Sequence, residues 1–79
     1  MTTYTFKVVV EPDEDRWHVY CPALVGRGAA TWGHTREEAL ANIEEVLKMV
    51  VASMLEHGEP IHPADTVQIS EEPLVAVTV

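Results

Sequence analysis

A capping box, Thr35-Arg36-Glu37-Glu38, is followed by apolar residues at Leu40, Ile43, Leu47, Val50, Val51 and Met54, and then by Gly58. This combination predicts one long helix. The Thr35 hydroxyl can accept from the Glu38 N–H while the Glu38 carboxylate reaches back to the Thr35 N–H, and Glu37 and Glu38 sit at the positive end of the helix dipole. Ala39, Val46 and Leu55 widen the apolar stripe, and Gly58 is placed to end the helix. About 22 residues at 1.5 Å rise span about 33 Å, which is long for a chain of 79 residues. The remaining residues must supply something flat and apolar to cover one side of it.

They read as strands. From Tyr4 to Val10 the chain alternates, with Tyr4, Phe6, Val8 and Val10 on one face and Thr5, Lys7 and Val9 on the other. Glu11-Pro12-Asp13-Glu14-Asp15 then reads as a turn. Arg16 to Cys21 forms a second strand, with Trp17, Val19 and Cys21 on one face and His18 and Tyr20 on the other, so the pair is a β-hairpin with an acidic tip. Pro22 stops it, Ala23 to Arg27 connect, and Gly28 to Trp32 form a third, weaker strand ending at Gly33. After the helix, Glu59-Pro60-Ile61-His62-Pro63 enforces an extended connection, Thr66 to Ser70 is a possible short strand, and Leu74 to Val79 is the last. The order is β-β-β-α-β in a single α+β domain, a small, mainly antiparallel sheet on one long helix. A right-handed crossover through the helix places the last strand parallel to the first or third.

A domain this small buries only about 60–65% of its unfolded surface, and one cysteine cannot make an internal disulfide. From Val46 to Leu55 nearly every residue is apolar except Lys48 and Ser53, more than one sheet can cover. The surplus predicts a homo-oligomer with Val46, Val50 and Met54 at its interface.

Five basic against thirteen acidic residues give a net charge of −8. Such a chain repels a phosphate backbone, so direct nucleic-acid binding is excluded, and an electrostatic partner should be basic. The partner-binding candidates are the acidic tip, Asp13, Glu14 and Asp15, together with Trp17 and Trp32, because tryptophan anchors interfaces. For the tip the plain alternative is a solvated turn, and for the tryptophans it is core packing. No catalytic, cofactor or metal residues are expected. Cys21 has no base beside it, since His18 lies on the opposite strand face. The histidines have no metal spacing, no acidic residue falls inside a strand, and no phosphate loop precedes the helix. No apolar run is long enough to cross a membrane, and the N-terminus, Met1-Thr2-Thr3-Tyr4, is not a secretory leader, which predicts a cytoplasmic protein.

Tyr4 through Glu11-Pro12-Asp13-Glu14-Asp15, Val19-Tyr20-Cys21-Pro22-Ala23-Leu24, Gly26, Gly33-His34-Thr35-Arg36-Glu37-Glu38-Ala39-Leu40-Ala41-Asn42 and Gly58-Glu59-Pro60-Ile61-His62-Pro63 together resemble the HicB-like antitoxin family of HicA–HicB toxin–antitoxin systems. The most specific piece is the G-x-T-x-E-E-A-L run from Gly33. The resemblance implies a partial ribonuclease H-like domain lacking the catalytic carboxylates, a dimer or tetramer, and a partner that is a small basic HicA-type toxin cleaving mRNA. Arg27 stands where many members of the family have cysteine, and the Gly26 to Gly33 stretch is about two residues longer. Residues 1–79 are expected to be one HicB-like domain, without the C-terminal DNA-binding domain of complete HicB antitoxins. The resemblance leaves two functions open, an antitoxin that occludes its toxin or an orphan oligomeric domain that binds another protein or a small ligand.

Overall fold

The computed structural model describes residues 2–61 and 73–79. Five strands and one helix are found, with one strand more before the helix than expected: β1 (Thr3–Lys7), β2 (Val9–Asp13), β3 (Arg16–Tyr20), β4 (Ala30–Gly33), α1 (Arg36–Glu56) and β5 (Leu74–Thr78). A short 3-10 turn, Val25–Arg27, interrupts the connection between β3 and β4 and closes on Gly28 at a φ of 85°. The possible strand at Thr66 to Ser70 lies outside the described residues.

The first predicted strand is two. Alternation runs unbroken through Tyr4, Phe6, Val8 and Val10, all turned toward the core, but the partner changes at Val8. Residues of β1 pair with β5, whereas β2 pairs with β3 from Val9↔Tyr20 to Asp13↔Arg16. Val8 is fully buried at this switch, and its N–H donates to the Pro73 carbonyl at 3.0 Å. The turn is correspondingly shorter than expected. Glu11, Pro12 and Asp13 extend β2, and only Glu14 and Asp15 form the loop. Pro12 is tolerated because β2 can turn its missing donor away from β3. Glu11 and Asp13 are therefore acidic residues inside a strand, contrary to the expectation, and both are solvent-exposed.

The last strand also differs from expectation. β5 runs antiparallel to β1, with register Thr3↔Thr78 to Lys7↔Leu74, and all ladders among the described residues are antiparallel. The crossover rule presumes a helix that delivers the chain directly into the next strand. Here residues 57–73 separate α1 from β5, so the helix does not lead directly into the strand. Cross-strand Thr3 and Thr78 hydroxyls meet at 2.7 Å.

The helix buries Ala39, Ile43, Leu47, Val51 and Met54 against Phe6, Val8, Val19, Cys21, Leu24, Ala29, Val75 and Val77. Thr35 caps it by accepting from the Glu38 N–H at 3.0 Å, as the capping box requires. The Glu38 carboxylate, however, accepts from His34 N–H at 3.1 Å, one residue earlier than expected. At the other end Gly58, with φ 71°, donates to the Leu55 carbonyl and Glu59 N–H donates to the Met54 carbonyl, a Schellman closure that needs the left-handed residue. Gly33, buried at the end of β4, lets the first turn of the helix approach the sheet: a Cβ there would lie 2.8 Å from the Glu38 carbonyl carbon.

Candidate protein-binding surface

The register of β3 and β4 gathers side chains on the sheet face opposite the helix. Trp17 and Val19 point inward, so His18 and Tyr20 point outward, and the pairing His18↔Trp32 puts Trp32 on the same outer face. Trp32 is 44% exposed. It is not loose: the Arg16 guanidinium carbon lies 5.2 Å from the centre of its ring, and the His34 ring meets it edge-on at 5.2 Å. His18 and Tyr20 lie against each other with ring centres 5.7 Å apart. A cation over an indole and an edge-to-face ring pair each restrict the tryptophan without covering it.

Arg16 links this aromatic centre to the acidic tip, with its Nε 3.7 Å from an Asp13 carboxylate oxygen. Asp13, Glu14 and Asp15 are all exposed, as is Glu11 two residues earlier on β2. The surface thus has an exposed aromatic centre and a negative end. Of the candidates named from the sequence, Asp13, Glu14, Asp15 and Trp32 share this region through Arg16. Trp17 does not: it is half-buried and packed against the core on the inner face. Val46 and Val50 are half-buried at the margin of the core, and Met54 is 4% exposed within it.

Sequence reasoning placed His18 and Tyr20 on the face opposite Trp17 but did not join them to Trp32. The missing information was the β3–β4 register, which also brings in Arg16 and His34. A second polar contact was equally hidden. Arg27 donates two hydrogen bonds to the Glu59 carboxylate, at 2.9 and 2.8 Å, joining the 3-10 turn to the segment beyond the helix. Those bonds hold the Glu59 carboxyl below its ordinary value of 4.5, against a partial desolvation that pushes it up, with the positive charge of Arg27 and His57 adding to the lowering. Among the described residues no three of His, Cys, Asp and Glu converge as a metal site would require, and no helix is long and apolar enough to cross a membrane.

No family model matches the chain. Among known proteins it is 31% identical over 65 residues to a UPF0150 protein of Synechocystis sp., an alignment covering 81% of this chain and 80% of that protein. It is 38% identical over 64 residues to a UPF0150 protein of Thermoplasma acidophilum, covering 80% and 88%. Among solved structures it superposes on the N-terminal domain of the Burkholderia pseudomallei antitoxin HicB with a TM-score of 0.68 at 22% identity, covering 95% of this chain and 96% of that one. The crystal structure of the Burkholderia pseudomallei antitoxin HicB gives 0.58 at 21% identity, covering all of this chain and 64% of that one. The chain therefore belongs to the UPF0150 family and has the fold of the HicB antitoxin N-terminal domain.

Proposed function

We propose that this chain is an antitoxin-like binding module that covers a small basic HicA-type toxin and keeps it from cleaving mRNA. The observation that carries the reading is the exposed Trp32, braced by Arg16 beside the acidic hairpin tip, on a HicB N-terminal fold. A rigid exposed indole is a suitable anchor because it buries a large area at little entropic cost. The acidic tip would draw in a basic partner and set its orientation, contributing more to association rate than to the final affinity. With a charge of −8 the bound module would also repel RNA from the toxin surface it does not cover. Its action is occlusion in the cytoplasm, where toxin and mRNA meet, and it needs no cofactor and no chemistry of its own.

The test is co-purification of the tagged chain from its host at low and then moderate salt, with the bound protein identified by mass and assayed for RNase activity after release. A stoichiometric basic RNase, released by salt and silenced on re-addition of the chain, is the expected result. Trp32→Ala should weaken that complex about tenfold or more, consistent with loss of a central anchor. Recovery of the chain with no basic RNase, under conditions where neighbouring genes are expressed, would replace this reading with that of an orphan HicB-like domain.

A further inference from the structure

The register sets Glu11 opposite His18 and His18 opposite Trp32, so the three lie in one row across β2, β3 and β4. All three are on the face turned away from the helix, because Val10, Trp17 and Val19, their neighbours along the strands, pack into the core. With strands about 4.8 Å apart, Glu11 and Trp32 stand about 10 Å from each other with His18 between them. Glu11 is exposed and enters no ion pair among the described residues, whereas Asp13, the next acidic residue on the same face, is paired with Arg16. Tyr20 flanks the row, with its ring 5.7 Å from that of His18. A carboxylate at one end and flat rings along the rest make one open strip.

We propose that this strip receives an arginine side chain of the basic partner, with the guanidinium paired to Glu11 and stacked on the rings of His18 and Trp32. The inference rests on the reading of this face as the partner's docking surface, and it names the side chain that docks there. The chain itself contains the arrangement in miniature. The Arg16 guanidinium carbon lies 5.2 Å from the centre of the Trp32 ring while its Nε is 3.7 Å from an Asp13 carboxylate oxygen. One acid and one ring thus already hold a guanidinium on this face, and the adjacent row repeats the acid and the ring. Charge is the second reason. Asp13 offsets Arg16, so an incoming cation meets the remaining negative charge of Glu11, Glu14 and Asp15, while an anionic ligand would be repelled by it. Geometry selects arginine over lysine. A guanidinium is planar, presents two parallel N–H donors to a carboxylate and is hydrated weakly enough to stack on a ring, whereas an ammonium is a strongly hydrated point charge.

Two-dimensional NMR of the indole N–H groups tests it on the full chain, with the blocked pentapeptides Gly-Arg-Gly-Arg-Gly and Gly-Lys-Gly-Lys-Gly as probes at low salt. The Trp32 Nε1–H signal, assigned by its loss in Trp32→Phe, should move on addition of the arginine peptide while that of the inward-facing Trp17 stays in place. The arginine peptide should bind about threefold to fivefold more tightly than the lysine peptide, the worth of an exposed cation–π contact. Glu11→Gln should abolish that preference. Asp15→Asn, which removes the same charge from the loop outside the row, should preserve it, and both residues are exposed, so neither change disturbs the core. Equal binding of the two peptides, equal losses from the two variants, or a Trp32 signal that neither peptide moves would each overturn the inference. None of these outcomes touches the toxin-binding reading, since a basic toxin can dock through lysines or over a wider surface. Conversely, a co-purification that yields no RNase leaves the measured peptide preference as it stands.

Discussion

A methyl group at position 33 would collide with the main chain of the helix it helps to seat. The added Cβ would lie 2.8 Å from the Glu38 carbonyl carbon and 2.9 Å from the Ala39 Cα, and backbone atoms cannot swing aside as a flexible side chain can. Gly33→Ala should therefore destabilise the fold by about 2 kcal/mol or more, the scale of an overpacked core, as read from the urea midpoint. A change within about 0.5 kcal/mol would mean that the helix can lift away freely. Glu14 presents the opposite case. It holds a φ of 58° at the hairpin loop, a conformation that costs a residue with a Cβ about 1 kcal/mol. Glu14→Gly should raise stability by about 0.5 kcal/mol, the relief of that strain exceeding the added freedom of the unfolded chain. A lower thermal midpoint would show that the Glu14 side chain makes a contribution the geometry does not reveal.

The helix was the most legible element because its signals are local. Thr35, Glu38, the apolar spacing and Gly58 all act within a few residues, and the observed span, Arg36–Glu56, follows them closely. Thr35→Ala removes the acceptor for the Glu38 N–H and should cost about 1 kcal/mol, with Thr35→Ser recovering most of it. Equal stability of the alanine and serine variants would remove the hydroxyl from the account. The strands were legible in their facing but not in their pairing. Parity placed Phe6, Val8 and Val19 inward and His18 and Tyr20 outward, as found. The change of partner at Val8 depends on Pro73, distant in sequence, and the direction of β5 is set by its long-range pairing with β1.

Across the whole molecule, the Arg27–Glu59 pair joins the turn before β4 to the segment after α1. Because the folded Glu59 carboxyl titrates below its ordinary 4.5, its contribution to stability is complete above that value and is lost as pH falls through the lowered one. The pair is partly exposed, so the effect is small, and it should weaken further in salt. Stability measured from pH 6 down to pH 3 should fall less steeply in Arg27→Met than in the wild type; parallel curves would mean that the pair is not maintained in solution. The net charge of −8 acts at the same scale: association with a basic partner should slow severalfold between 50 and 300 mM salt while dissociation changes little.

The α+β class, the helix with both its ends, the inward and outward faces of the strands and the HicB-like resemblance could all be read from the chain itself. Each rests on short-range spacing, capping chemistry or an ordered set of motifs. The Arg16–Trp32–His34 assembly, the Arg27–Glu59 pair, the antiparallel β5 and the Glu11–His18–Trp32 row came only from the tertiary structure. These features join residues from separate elements, and their geometry is set by register and chain return. Those are settled by the packing of all the elements together, and no local pattern encodes them.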